Sequence, residues 1–236
     1  MEGIGDGMKI LVIIPAYNEE KNIINVVHNI KEHCPNVDYV IINDCSKDNT
    51  KKVIEENGFN YISLPVNMGI GGGVQTGYKY AVDNDYDIAI QIDGDGQHDP
   101  KYINKLIQPI IDGEANMTIG SRFIEKEGFQ TSFMRRVGIN FLKVLIRICC
   151  GVVITDATSG FRASDKELTK RFSEVYAQDY PEPEAIIDSV VNGFKVKEVP
   201  VIMHERQEGE SSINAVKSVY YMIKVSLAII LSRVSK

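Results

Sequence analysis

The segment from Ile88 to Pro100 reads IAIQIDGDGQHDP and joins a short apolar strand to an acidic turn. Residues 88–92 are strand formers, and the chain then presents Asp93 and Asp95, each followed by glycine. Two carboxylates one residue apart at a strand end can hold a hard divalent cation. Mg²⁺ and Mn²⁺ take oxygen ligands and keep open positions for substrate phosphates. An ordinary acidic turn is the alternative, because Asp and Gly both favour turns.

The composition indicates a globular chain with an acidic balance. Its 236 residues are 44% hydrophobic, which allows one large α/β domain or two small ones. A net charge of −6 argues against nucleic acid as the main partner. The four cysteines lack metal-ligand or disulfide-framework spacing, and the acidic N-terminus lacks the apolar run of a signal peptide. A reducing cytoplasm fits these features.

Apolar strands and helices alternate through the first 120 residues. The predicted strands are Met8–Ile14, Tyr39–Ile42, Tyr61–Leu64, Ile88–Ile92 and Asn116–Ile119. Helices are predicted at 19–33 and 100–111. Two more are predicted between them, one that ends at about Glu56 and one that ends at about Asn84. This order predicts right-handed crossovers and a mostly parallel sheet with helices on both faces. Polar residues follow Ile14, Ile42 and Ile92, so they converge on the edge where such sheets bind ligands.

The pattern changes after Gly120. A polar segment at 121–132 precedes a basic apolar helix at 133–150 and a turn at 155–162. The remaining predicted elements are helices at Lys166–Glu174 and Glu184–Asn192 and strands at Lys195–Val199 and Val201–Met203.

Six short motifs follow one another along the chain. They are Pro15-Ala16-Tyr17-Asn18-Glu19, Asn43-Asp44-Cys45-Ser46, Asn67-Met68-Gly69, Asp93-Gly94-Asp95-Gly96-Gln97-His98, Gly120-Ser121-Arg122 and Ser159-Gly160-Phe161-Arg162. The series resembles family 2 glycosyltransferases of the GT-A fold, and most closely their dolichol-phosphate mannosyltransferase and polyprenyl-phosphate glycosyltransferase branch. The resemblance covers about 9–212. It implies a Rossmann-like sheet, a UDP- or GDP-linked sugar donor, and Mg²⁺ or Mn²⁺ as cofactor.

The resemblance also implies which residues serve the donor. Those for the nucleotide are Pro15, Ala16, Tyr17, Glu19, Asp44, Asn67, Gly69, Asp93 and Gly94. Those for the metal and the diphosphate are Asp93, Asp95 and Gln97, with Asp95 foremost. His98 is expected to be a structural hydrogen-bond partner and not a ligand. Glu19 could instead be a favourable first-turn carboxylate of a helix, and Asp44 a turn residue. The family usually has a second acidic residue where this chain has Asn43.

The glycine-rich segment Gly69-Ile70-Gly71-Gly72-Gly73 has two interpretations. It superficially resembles the phosphate cradle of a dinucleotide-binding fold. However, it follows the third strand, and Val74 occupies the last position of the G-x-G-x-x-G spacing. Alternatively, the glycines permit close packing of a helix. In the family, this segment lines the nucleotide side.

Arginines form a second chemical theme, since a guanidinium is a planar fork that suits phosphate. The resemblance implies that an acceptor phosphate contacts Arg122, Arg135, Arg136, Ser159 and Arg206, and Arg162 joins this cationic set. Arg122 and Arg206 are assigned to catalysis together with Asp95. Each arginine could instead be a solvated or carboxylate-paired surface group. The branch often has Arg-x-x-Gly-x-Ser-Lys at the last site, and this chain has Ser212 in place of the final basic residue.

Glu182 and Glu184, in the segment Tyr180-Pro181-Glu182-Pro183-Glu184, bear on the type of acceptor. A hydroxyl acceptor needs a carboxylate base, which either glutamate could supply. A phosphate acceptor is already anionic and needs none. Stabilisation of a helix N-terminus is the alternative role, and we favour it.

A basic amphipathic helix is predicted at 213–236. Its apolar residues are spaced by three or four positions: Ile213, Val216, Tyr220, Ile223, Leu227, Ile230 and Val234. The segment contains Lys217, Lys224, Arg233 and Lys236 but no acidic residue, which favours the interface of an anionic membrane. A core or dimer helix is the alternative, and the apolar run is too short for a convincing membrane span.

These features lead to the hypothesis of an inverting glycosyltransferase that moves a sugar from a nucleotide diphosphate to undecaprenyl or dolichyl phosphate. Residues 1–212 would form the catalytic domain, with a nucleotide-sugar half at about 8–120 and an acceptor half at about 121–212. The expected location is peripheral, at the cytoplasmic face of a membrane, with a membrane protein or a second copy as further partners. One alternative is transfer to a saccharide hydroxyl in polysaccharide or cell-wall glycan synthesis. The other is a catalytically silent nucleotide-sugar-binding scaffold.

Overall fold

The computed structural model describes residues 7–125, 127, 133–179 and 181–205, except for the side chains of 133–135. One seven-stranded sheet runs through these residues in the order β3-β2-β1-β4-β6-β5-β7. The strands are β1 (Ile10–Ala16), β2 (Asp38–Asn43), β3 (Tyr61–Ser63), β4 (Ile88–Gln91), β5 (Met117–Ser121), β6 (Arg162–Asp165) and β7 (Val196–Pro200). All pairings are parallel except those of β6, which is antiparallel to β4 and to β5.

Helices cover both faces of this sheet. They are α1 (Ile23–His33), α2 (Thr50–Glu56), α3 (Gly69–Asp83), α4 (Ile103–Ile111), α5 (Phe133–Cys150), α6 (Lys166–Glu174) and α7 (Pro181–Val191), with a short 3-10 helix at Pro100–Tyr102. Buried residues of α1, α2 and α4 form one apolar core with the sheet, and those of α3, α5, α6 and α7 form the other. The predicted α/β class, with a mostly parallel sheet between two helical layers, is confirmed.

β1 explains why the sequence gives a parallel sheet. Its side chains alternate between the two cores: Ile10, Val12 and Ile14 contact one, while Leu11 and Ile13 contact the other. Every residue of the strand is buried. A strand buried on both faces has an unbroken apolar sequence, because neither side needs polar residues for contact with water.

β6 was not predicted. Its sequence, Arg-Ala-Ser-Asp, has no run of β-branched or aromatic residues, so local propensity gives little strand signal. Pairing on both sides imposes the strand, since Arg162 pairs with Gln91 and with Ile119. The strand predicted at Val201–Met203 is reduced to a single bridge between Met203 and His98.

Several expectations fall outside the described residues. The helix predicted at 213–236 is one of them, and Arg206 is another. The division into two halves stays a prediction. Within the described ranges, no helix is both long enough and apolar enough to cross a membrane.

Candidate active site

The candidate site lies where β1, β2 and β4 end. The loop after β4 folds back over β1, since the Gly94 N–H donates to the Pro15 carbonyl at 3.2 Å. The loop after β2 makes a similar contact, in which the Asp44 N–H donates to the Ala16 carbonyl at 2.9 Å. Residues predicted for the donor from three separate segments therefore lie side by side.

The Asp93 carboxylate is positioned by the residues around it. Gln91 Nε2 donates to Asp93 Oδ1 at 2.9 Å. The backbone of Gly160 lies so close that a Cβ atom added there would collide with the same carboxylate. The Asp93 side chain is still 33% exposed. It is thus fixed in orientation yet open to a cation or a diphosphate at the sheet edge.

His98 supports this carboxylate from the protein interior. Its buried ring stacks on Phe161 with centroids 5.2 Å apart, and Nδ1 accepts the Asp93 backbone N–H at 3.2 Å. Because Nδ1 accepts, the proton of the neutral ring is on Nε2, which lies 3.9 Å from Asp93 Oδ2. These contacts agree with the structural role expected of His98.

Asp95 and Gln97 form the outer part of the same loop. Asp95 Oδ1 accepts the Gln97 backbone N–H at 3.1 Å, in a turn that the positive φ of Gly96, 76°, makes accessible. Gln97 Nε2 donates to the His204 carbonyl at 3.4 Å. The side chains of Asp95 and Gln97 are both half-buried.

This donor set fits a hard divalent cation. Two carboxylates and a side-chain amide oxygen are ligands that Mg²⁺ and Mn²⁺ prefer. Within the part of the chain that the structure describes, no three His, Cys, Asp or Glu side chains form a complete metal site. Asp93 and Asp95 alone would leave coordination positions for the phosphates of a substrate.

Asp44 is buried after β2 and orders the segment that leads into α3. Asp44 Oδ1 accepts the Met68 backbone N–H at 2.6 Å, and Asn67 Nδ2 donates to the Asp44 carbonyl at 3.1 Å. The buried Asn43 side chain is used internally, since its Nδ2 donates to Ser63 Oγ at 2.9 Å. The structure therefore brings Asp44 and Asn67 into contact and gives Asn43 a role in joining β2 to β3.

Glu19 and Tyr17 follow β1 in different environments. Glu19 is buried, and its Oε2 accepts a hydrogen bond from Asn22 Nδ2 at 2.8 Å. It is not a first-turn residue, because α1 begins at Ile23. Tyr17 is exposed, so its ring is accessible to a ligand at the edge of the sheet.

The glycine-rich segment packs closely against the protein. The Gly71 N–H, in the first turn of α3, donates to the Gln178 carbonyl at 3.0 Å. A Cβ on Gly71 would collide with the backbone of Ala177 and Gln178, and one on Gly77 would collide with Ile13. The packing interpretation is confirmed at Gly71, and the phosphate cradle is wrong there because the Gln178 carbonyl already accepts the Gly71 N–H.

Arg122 follows β5 and forms a buried ion pair with Asp156. Its Nε donates to Asp156 Oδ2 at 2.7 Å and its Nη2 donates to Oδ1 at 3.2 Å. The side chains are 7% and 0% exposed. The guanidinium is therefore held in one orientation, as a bidentate pair requires. The alternative of a carboxylate-paired arginine is therefore confirmed, but the pair is buried and not on the surface.

Glu198 on β7 anchors the loop that carries Asp156. Its carboxylate accepts the backbone N–H groups of Thr155 and Asp156, both at 2.8 Å. Thr155 Oγ1 also donates to this carboxylate at 2.9 Å and lies 2.7 Å from Ser121 Oγ. Two carboxylates in series thus set the position of Arg122.

Arg162 does not belong with the acceptor-side cations, and that prediction is wrong. The residue is 2% exposed. Its guanidinium donates to the carbonyls of Ser159 and Glu182, both at 2.6 Å, and to that of Ala157 at 3.1 Å. It therefore fixes the loop before β6 against the start of α7. Ser159 is also buried, and its Oγ accepts the Phe161 N–H at 3.3 Å.

The other residues predicted for the acceptor side are three arginines and two glutamates. Arg136 and Arg122 lie over the same Phe123 ring, at 5.7 Å and 5.4 Å from its centre. The Arg135 side chain and Arg206 lie outside the described residues. Glu182 and Glu184 are half-buried in the first turn of α7, a location that suits stabilisation of a helix start; the base role stays a prediction.

Sequence reasoning missed Gln91, Asp156 and Glu198. Gln91 had a signal, because it is a polar residue inside an apolar strand and shares a strand face with Asp93, two positions on. Asp156 and Glu198 had none, since their partners are 34 or more positions away in the chain.

Comparison with known proteins supplies the context for this geometry. The family described as "Glycosyl transferase family 2" matches residues 11–172, from β1 to α6. The chain belongs to glycosyl transferase family 2. The match includes both carboxylates of the acidic loop, Arg122 and Asp156, so the chain is a glycosyltransferase of this family by sequence as well as by fold.

Two of the relatives match this chain over most of both sequences. A UDP-N-acetylglucosamine–dolichyl-phosphate N-acetylglucosaminyltransferase of Methanococcus voltae is 38% identical over 81% of this family 2 chain and 84% of its own. A polyprenol monophosphomannose synthase of Mycolicibacterium smegmatis is 28% identical over 92% and 85% of the two chains.

Solved structures support the GT-A fold. Glucosyl-3-phosphoglycerate synthase of Mycobacterium tuberculosis, in complex with Mn²⁺, UDP and phosphoglyceric acid, superimposes with a TM-score of 0.72. It is 21% identical, and the match covers 97% of this chain and 79% of that one. The same enzyme has also been solved with Mg²⁺ and UDP.

Proposed function

We propose that this chain transfers a sugar from a nucleotide diphosphate to the phosphate of a polyprenyl lipid, with inversion at the anomeric carbon. The observation that carries the proposal is the loop before β6, which joins two chemical centres. Gly160 lies against the Asp93 carboxylate, and the next residue, Phe161, accepts the Gly120 N–H at 2.8 Å. Gly120 precedes Arg122 by two positions, so the loop before β6 links the acidic loop to the strand end that leads into Arg122.

The donor would lie across the ends of β1, β2 and β4. Pro15, Ala16 and Tyr17 would contact the base, and Glu19 and Asp44 would accept from base or ribose donors. Asn67, Gly69 and Gly94 complete the nucleotide site. Asp93 and Asp95, with Gln97, would hold Mg²⁺ or Mn²⁺, which stabilises the charge of a leaving diphosphate when bound. The names of the two relatives differ in the sugar, N-acetylglucosamine in one and mannose in the other, which leaves the sugar of this chain to experiment.

The acceptor phosphate would contact Arg122 and Arg136, with Arg135, Ser159 and Arg206 as further candidates. A phosphate oxygen attacks the anomeric carbon, and the bond from that carbon to the donor diphosphate breaks on the opposite side. The acceptor oxygen carries no proton that must be removed, so no general base is required. The relatives named for dolichyl and polyprenol phosphate support this acceptor class. A lipid acceptor in turn favours peripheral location at the cytoplasmic face of a membrane.

Transfer to a saccharide hydroxyl is the second candidate, because Glu182 and Glu184 lie at the start of α7. If the acceptor is a phosphate, Glu182→Gln and Glu184→Gln should each leave turnover within about threefold of wild type. Each variant loses only the stabilisation of the α7 N-terminus by a carboxylate, about 0.3–1 kcal/mol. Loss of a general base would instead cost roughly 10²–10⁴-fold. Steady-state rates on folded variants separate the two. A collapse in Glu184→Gln with intact nucleotide binding contradicts the phosphate acceptor.

Gln91 should act on the metal through Asp93. Replacing Gln91 by leucine removes the hydrogen bond to Asp93 Oδ1 and is expected to weaken Mn²⁺ binding by about 10–100-fold, the usual effect of a supporting partner. The unfolding free energy should stay within about 1 kcal/mol, because Gln91 Oε1 is buried without a hydrogen-bond partner and its removal offsets the lost bond. Mn²⁺ affinity is measured by electron paramagnetic resonance with UDP present.

Gln108→Leu is the matched control, because Gln108 Nε2 also donates to an aspartate, Asp112 Oδ1, at 2.9 Å on an exposed helix surface. Its Mn²⁺ affinity should equal that of wild type. Unchanged affinity in Gln91→Leu would remove Gln91 from the metal site.

The proposed function is tested by incubating the purified chain with UDP-N-acetylglucosamine, UDP-glucose or GDP-mannose and polyprenyl phosphate in vesicles. At least one donor should give a labelled lipid that extracts into organic solvent. Donor hydrolysis alone with every lipid would contradict the proposal, and nucleotide-sugar binding without any turnover would favour the silent scaffold.

A further inference from the structure

The outward side of α5 is apolar, which is unusual for a helix on a protein surface. Four large apolar side chains there are 51–75% exposed. They form the outer stripe, defined as Val137, Phe141, Val144 and Ile148. A surface helix normally has polar residues opposite its buried face, and a contiguous exposed apolar surface marks an interaction site.

Helix geometry places the outer stripe away from the core. At about 100° per residue, its four members fall within an arc of about 60°. The buried residues of the same helix are Ile139, Leu142 and Ile146. These point to roughly the opposite side, and Leu142 and Ile146 belong to the core shared with α3, α6 and α7. The outer stripe is thus a second apolar face that packing within the described domain does not use.

The charged residues of α5 are all basic. Residues 133–150 include Arg135, Arg136, Lys143 and Arg147 and no acidic residue, in a chain of net charge −6. Arg136, Lys143 and Arg147 lie on one flank of the outer stripe, within an arc of about 40°. An apolar stripe bordered by cations matches the two layers of an anionic lipid surface, acyl chains and phosphates.

We infer that the outer stripe and its cationic flank form a surface that docks on an anionic lipid membrane. The same charge argues against the other occupants. A second copy would present the same cations to this flank, and the segment 213–236 contains four cations and no acidic residue. Either occupant would bring further cations next to the cationic flank, whereas lipid phosphates would neutralise the charge of the flank.

The docking surface is continuous with the candidate site. Arg136 belongs to the cationic flank and lies over the Phe123 ring, which Arg122 also contacts. A membrane covering α5 would therefore bring lipid headgroups to the ring that adjoins Arg122. The inference rests on the proposed function, because it explains how a lipid-borne phosphate would reach the site. Vesicle binding is measured without donor or acceptor, so it tests the docking surface separately.

The test is sedimentation of the full chain with vesicles of phosphatidylcholine alone or with about one third phosphatidylglycerol. Val144→Gln/Ile148→Gln should lower the partition coefficient at least about tenfold, because less apolar area enters the interface. Val82→Gln/Val175→Gln replaces two exposed valines elsewhere on the surface and should bind like wild type. Lys143→Gln/Arg147→Gln should lose about fivefold per cation, only on the anionic vesicles.

All three double variants should turn over a short, water-soluble isoprenyl phosphate at the wild-type rate, which shows that they are folded. Equal vesicle binding by Val144→Gln/Ile148→Gln and wild type would overturn the inference. So would a wild-type dimer that this variant dissociates, because the stripe would then contact a second copy. Hydrogen exchange that increases in 213–236 only in this variant, without lipid, would assign the stripe to that segment and also overturn it.

Discussion

Asp95→Asn is expected to reduce sugar transfer by roughly a thousandfold with the fold intact, because the variant loses a charged ligand beside the donor diphosphate. Asparagine keeps the Oδ1 atom that accepts the Gln97 N–H, so the turn should persist. Initial rates with saturating donor and lipid measure the effect, and thermal unfolding checks the fold.

Asp99→Asn provides the control. It makes the same chemical change four positions later, at the residue that caps the 3-10 helix by accepting the Lys101 N–H. Asparagine caps equally well, so wild-type rates are expected. Wild-type turnover in Asp95→Asn would show that the acidic loop is an ordinary turn.

Arg122→Ala is expected to lower the free energy of unfolding by about 3–5 kcal/mol. The truncation leaves Asp156 charged, fully buried and without its guanidinium, and an uncompensated buried charge is costly. Urea unfolding measures the loss. Arg171→Ala is the matched control, because Arg171 also pairs bidentately, with Asp188, but both side chains are about one third exposed. The Asp188 carboxylate stays hydrated there, so a loss of about 1 kcal/mol or less is expected.

Removing both partners should separate stability from acceptor binding. Arg122→Met/Asp156→Leu replaces the pair by apolar side chains, which is often neutral for stability. If Arg122 contacts the acceptor phosphate, this variant should have an acceptor KM raised by roughly 10–100-fold, from a lost charge-assisted bond of about 1.5–3 kcal/mol, with donor KM unchanged. A raised donor KM alone would remove Arg122 from the acceptor site. If Arg122→Ala is as stable as wild type, the buried ion pair does not contribute to stability as proposed.

The donor half could be predicted from the sequence because its signals are local. An apolar run such as β1 can only be buried on both faces, and polar residues just after β1, β2 and β4 must then converge on one edge. The acidic loop was found for the same reason.

The acceptor half depends on contacts between distant residues, which a local pattern does not reveal. β6 forms because β4 and β5 both pair with it, and its sequence alone favours no strand. Arg162 and Arg122 have identical side chains, yet one donates to three carbonyls and the other pairs with Asp156. Only the tertiary structure distinguishes a structural arginine from a candidate phosphate ligand.

Transfer to a lipid phosphate with inversion is tested most directly by the linkage in the product, determined by phosphorus and proton NMR on lipid made by the purified chain. The product should show an anomeric proton coupled to a single phosphorus, with the configuration at that carbon opposite to that of the donor sugar. An anomeric carbon bonded to a saccharide oxygen with no phosphorus coupling, or retention of the donor configuration, would contradict it.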